Sequence, residues 1–88
     1  MIYRLTAKGS VERALSRLPK ADRRRVDAHL LSLCDNPRPV GAIPLKGVGR
    51  GLWRVRVGDW RIIYQLRDAE LVVLVIDVAR RREVYRGL

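Results

Sequence analysis

The sequence predicts an α+β domain ordered β-α-α-β-β-β, an antiparallel sheet with an N-terminal helical hairpin packed on one face. Three observations carry that expectation. Apolar residues recur at helical spacing before residue 36, and they alternate at strand spacing from residue 52 onward. A stretch rich in proline and glycine separates the two regimes. The chain has 88 residues, 48% of them hydrophobic, so it is expected to form a single domain, 1–88, around one core.

The first strand is read over residues 2–6, where "IYRLT" alternates apolar and polar side chains. From Lys8 to Leu18 the period changes. Val11, Ala14, Leu15 and Leu18 stand at i, i+3, i+4 and i+7, which is one face of a helix. Pro19 ends that helix and suits the first turn of the next. Asp22 then lies where the second helix's dipole favours negative charge. Val26, Leu30 and Leu33 form the inner stripe of the second helix, which stops at Asn36-Pro37. The segment "NPRPVGAIPLKGVGRG" is expected to be a loop.

Three strands close the chain, at about 52–57, 60–66 and 71–78. Gly58-Asp59 is a two-residue hairpin turn of the kind that begins with glycine. "RDAE" at 67–70 makes the next turn, and the last strand, "LVVLVIDV", is apolar on both faces like an interior strand.

The charge is one-sided: 19 Lys and Arg against 9 Asp and Glu give a formal +10. Such an excess favours polyanions such as RNA, DNA, ribosomes or an acidic protein. No run reaches the roughly 18 apolar residues of a membrane span, and the N-terminal residues lack the apolar region of a secretory signal. One cysteine and one histidine offer neither an internal disulfide nor a familiar zinc site, so no metal or other cofactor is expected. Cytoplasm is the expected compartment.

The stretch "LWRVRVGDWRIIY" holds the most specific signal. A two-residue turn pairs Val57 with Trp60, and pairing then runs outward: Arg56 with Arg61, Val55 with Ile62, Arg54 with Ile63, Trp53 with Tyr64. Because side chains alternate between faces, Trp53, Val55, Val57, Trp60, Ile62 and Tyr64 share one face, and Arg54, Arg56 and Arg61 share the other. Arg56 opposite Arg61 costs stability. The cluster is either a solvated outer face or a seat for an anion such as phosphate, which guanidinium groups grip with paired hydrogen bonds. Arg80, Arg81 and Arg82 follow the last strand and could be carried over this face. Tyr85 among those cations is either a general base, its phenolate favoured by the nearby charge, or an apolar anchor for the chain end.

"LKGVGRGLWRVRVGDWRIIYQL" followed by "VIDVARRREVY" resembles the RelE/ParE superfamily of toxins from bacterial type II toxin–antitoxin pairs, over nearly the whole chain. The resemblance implies a ribonuclease that cuts mRNA in the ribosomal A site. It places Arg61, Arg81 (with Arg80 a neighbouring possibility) and Tyr85 as catalytic residues, and Arg54 and Arg56 as residues that hold RNA phosphates; Lys46 and Arg80 are expected to join them in binding phosphate. The best-known RelE members carry lysines where this chain has Arg54 and Arg56. Arginine does not give up a proton, so these two are assigned electrostatic work.

The implied chemistry is metal-independent attack of the RNA 2′-OH on the adjacent phosphate, with Tyr85 assisting removal of the proton. His29, beside Val26 and Leu33, is read as structural, and Cys34 as a small core residue. So sparse a catalytic set implies that the ribosome positions the substrate. The resemblance also implies a cognate antitoxin with an acidic binding segment and a toxin–antitoxin hetero-oligomer. Two rival readings are a ParE-like inhibitor of DNA gyrase on the same fold and a basic RNA- or ribosome-binding module without catalysis.

Overall fold

A computed structural model describes residues 2–47 and 50–80. The elements run β1 (Arg4–Ala7), α1 (Gly9–Ser16), α2 (Lys20–Asp35), β2 (Ile43–Pro44), β3 (Leu52–Val57), β4 (Trp60–Arg67) and β5 (Val72–Arg80). The α+β class and the order of the predicted elements hold. Among the described residues, however, the sheet is mixed and has five strands in the order β1-β5-β4-β3-β2.

Two features separate this sheet from the expected four-stranded antiparallel one. β1 lies parallel to β5, Arg4 beside Val72 through Ala7 beside Val75. The intervening helices provide the long crossover that parallel neighbours require. The second feature is β2, inside the segment expected to be loop. Ile43 and Pro44 pair with Arg54 and Trp53, and the Leu45 N–H donates to the Leu52 carbonyl at 2.9 Å. Proline is tolerated there because β2 is an edge.

α1 buries Val11 and Leu15, and α2 buries Val26, Leu30, Leu33 and Cys34. The Arg23 N–H donates to the Pro19 carbonyl at 2.8 Å, which starts α2 directly after the proline. Both helices cover one sheet face, meeting Val55, Val57, Ile62, Tyr64, Val73, Val75 and Val78, with Trp53 and Trp60 partly buried at the margins. The Tyr64 hydroxyl donates to the Pro37 carbonyl at 2.8 Å. Its burial pushes its pKa up to about 12. At the foot of the sheet, Asp68 accepts from the Tyr3 hydroxyl at 2.6 Å and from Arg38 at 2.7 Å. Arg38 also lies 5.3 Å above the Trp53 ring. This cluster ties the segment after α2 to the β4–β5 turn.

One irregularity bears on the site. The β4–β5 register shifts between Ile63 and Tyr64, leaving Ile76 as an extra residue: Ile63 pairs with Asp77 and Tyr64 with Val75. Val75 and Val78 both enter the helix-side core, so Ile76 and Asp77 fall together on the opposite face, as a β-bulge allows.

Candidate functional site

The β3–β4 hairpin forms with the expected register at every pair, from Val57 beside Trp60 to Trp53 beside Tyr64. Gly58 takes φ 59°, and Asp59 is not among the residues with positive φ, as the glycine-first hairpin turn requires. The helix-covered face therefore carries the apolar side chains, and Arg54, Arg56 and Arg61 stand together on the other. On that face Leu52, Ile63, Ile76 and Ala79 form a small apolar cluster with Leu45 beside them.

The three arginines line a cleft of about 380 Å³ together with His29, Val40, Gly41, Ile43 and Val55. Its lining includes arginines from one sheet face and Val55 from the other, because it wraps around the edge of β3. β2 ends opposite Arg54, so among the described residues the Arg56 backbone has no strand partner on that side. The outward direction of its peptide follows from that of Leu52, whose carbonyl accepts from Leu45.

Electrostatically the cleft is cationic. Arg56 is exposed, whereas Arg54 and Arg61 are half-buried. Arg56 and Arg61 form no ion pair among the described residues, and the Arg61 Nε is buried without a hydrogen-bond partner. A buried donor of this kind is rare in folded proteins, and an anion held by the guanidinium would satisfy it. The bulge brings one carboxylate to this face, Asp77. Desolvation raises its pKa above the usual carboxylate range, partly offset by a hydrogen bond with the Val78 backbone.

The predicted residues divide into those the fold brings together and those it does not. Arg54, Arg56 and Arg61 converge. Lys46 is exposed in the turn after β2 and does not line the cleft. Arg80 pairs with Trp60 and lies 5.4 Å over its ring. Strand alternation puts it with Val78, on the helix side, so it is not carried over the arginine face. Arg81 and Tyr85 lie outside the described residues. Cys34 is buried as expected, and burial raises its thiol pKa.

His29 is the cleft residue that sequence reasoning did not single out. It is only half-buried and lines the cleft. Its flank position beside Val26 and Leu33 suits a core residue, and nothing local reveals that the open edge of β3 passes beneath it.

Similarity to known proteins agrees with this architecture. Residues 1–85 match the family described as the ParE toxin of the type II toxin–antitoxin system, parDE. The chain is 34% identical over 85 residues to Toxin RelE of Mycobacterium tuberculosis, covering 96% of this chain and 87% of that protein. Among solved structures, one relative is the archaeal RelE–RelB complex of Pyrococcus horikoshii OT3. It shows 34% identity and a TM-score of 0.83 over 92% of this chain and 97% of that one. The isolated E. coli RelE toxin shares the fold, with a TM-score of 0.77 and 22% identity over 89% and 83% of the two chains. A hairpin that gathers three arginines on one face, in a chain matched almost throughout by toxins of this kind, places the protein in the RelE/ParE superfamily of type II toxin–antitoxin toxins.

Proposed function

We propose that the protein is a ribosome-dependent endoribonuclease that cuts mRNA in the A site and is silenced by a cognate antitoxin. The observation that carries this reading is Arg56 directly opposite Arg61, beside Arg54, on a face lining an open cleft. Such an arrangement costs stability and is useful for gripping a phosphate backbone.

In this mechanism the RNA 2′-OH attacks the adjacent phosphorus. The 5′-oxygen departs, leaving a 2′,3′-cyclic phosphate and a 5′-OH end. Arg54 and Arg56 hold the backbone, while Arg61 and Arg81 stabilise the negative charge that grows on the phosphoryl oxygens. Tyr85 assists removal of the 2′ proton, and solvent water returns a proton to the departing 5′-oxygen. None of the arginines transfers protons, because guanidinium does not deprotonate in proteins. Lys46 and Arg80, outside the cleft, are better suited to long-range attraction of RNA.

The +10 charge suits docking on ribosomal RNA in the cytoplasm and capture of an acidic antitoxin segment. Several similar structures are RelE–RelB complexes, which supports a protein partner of that kind.

Primer extension on a defined mRNA in a purified translation system tests the proposal. Cuts within codons are expected only with ribosomes, and Arg61→Ala or Tyr85→Phe should abolish them. Intact mRNA with the wild-type protein would sink the reading. The matched family's ParE description favours gyrase inhibition as the second reading. A supercoiling assay with purified gyrase separates the two.

A further inference from the structure

The cleft is two-sided, and the proposed phosphate contacts use one side only. The arginines occupy the sheet-face side. Ile43, paired with Arg54, shares their side. Across the β3 edge stand His29 from α2 and buried Val55, and the fully exposed Val40 completes the apolar lining. Between the two sides lies the outward peptide of Arg56, beyond the end of β2. An imidazole beside apolar side chains, a strand edge without a partner among the described residues and a cluster of guanidinium groups together match a nucleotide: base, base edge and phosphate.

We propose that this cleft seats a single nucleotide of the RNA, with its phosphate on the Arg56 and Arg61 side and its base against His29 and Val40. His29 is then a base-contacting residue that shapes nucleotide preference. The inference rests on the reading that the ligand is RNA.

Three physical points support it. A volume near 380 Å³ is at the small end of ligand sites, the scale of one nucleotide. Single-stranded bases are recognised by stacking on flat side chains, histidine included, and by hydrogen bonds to their edges. Val40 is an apolar side chain left fully exposed at the rim of a cationic cleft, and a base would cover it.

The test is an NMR titration of the full chain with uridine or adenosine 3′-monophosphate, ribose 5-phosphate and inorganic phosphate, following the His29 ring protons. A nucleoside monophosphate should bind roughly five- to tenfold more tightly than the two probes lacking a base, as one stacked base implies. It alone should shift the His29 ring. His29→Ala should remove that preference while leaving phosphate affinity unchanged, and His29→Phe should restore it. Arg61→Ala should weaken all three probes. Equal affinities for nucleotide and phosphate in the wild-type protein would overturn the proposal, as would a nucleotide preference that survives His29→Ala.

The ribosome assay separates this inference from its premise. A base preference at His29 without mRNA cutting upholds the nucleotide seat and discards the nuclease. Cutting without any base preference does the reverse.

Discussion

Replacing Arg56 with glutamine should stabilise the fold while disabling the cleft. Arg56 and Arg61 form a directly opposed pair next to the hairpin turn. Turn geometry makes it a non-hydrogen-bonded pair, the type with Cα atoms only about 4.5 Å apart. Two like charges about 6 Å apart in a water-like dielectric repel by about 0.7 kcal/mol, within the ~0.2–1 kcal/mol range of cross-strand pair effects. For a domain of this size that corresponds to a rise in Tm of roughly 3–6 °C.

Thermal unfolding followed by circular dichroism, at low salt and at 1 M salt, is the assay. The gain should appear at low salt and vanish at high salt, where screening acts within about 3 Å. It should shrink in an Arg61→Gln background, because the repelling partner is gone. Arg24→Gln removes a charge from an exposed position of α2 and controls for net charge, so it should have little effect. An Arg56→Gln protein no more stable than wild type at low salt, or a gain that persists at 1 M, would refute the reasoning.

Three other outcomes follow from the packing. Gly51 adopts φ +68°, and a Cβ there would sit 3.0 Å from the Leu66 carbonyl oxygen; Gly51→Ala should lower stability by about 1–3 kcal/mol, read as a lower urea midpoint with unchanged m. Tyr64→Phe removes the hydroxyl that donates to Pro37 and should cost about 0.5–1.5 kcal/mol in the same urea titration. Acid titration of stability should show two opposed contributions. The hydrogen bond from Arg38 lowers the Asp68 pKa, so its stabilisation is present above the unfolded-state pKa and is lost as pH falls towards the folded one. Desolvation raises the Asp77 pKa, so its contribution is full below the unfolded pKa and is lost as pH rises through the folded one. Denaturation at pH 7 and pH 3 should therefore show Asp68→Asn flattening the acid loss, and Asp77→Asn stabilising the protein at pH 7 but not at pH 3.

Local chemistry in the sequence determined the elements and the main face of the site. The Gly58-Asp59 turn admits one register, and a period of two then sends Arg54, Arg56 and Arg61 to one face and the apolar residues to the other. The apolar spacing of Val11, Leu15, Val26, Leu30 and Leu33 likewise sufficed for the helical hairpin. Long-range pairing decided the rest. Hydrogen bonds between distant backbones made β1 parallel to β5 and turned Ile43–Pro44 into an edge strand; periodicity contains no information about either. The bulge at Ile76 is invisible in a strand apolar on both faces, yet it places Asp77 on the arginine side. Arg80 went the other way, onto Trp60, because alternation continues along β5 beyond the expected end of the strand. His29 depended most on tertiary structure: a half-buried side chain on a helix flank becomes part of a cleft only when an open strand edge is packed against it.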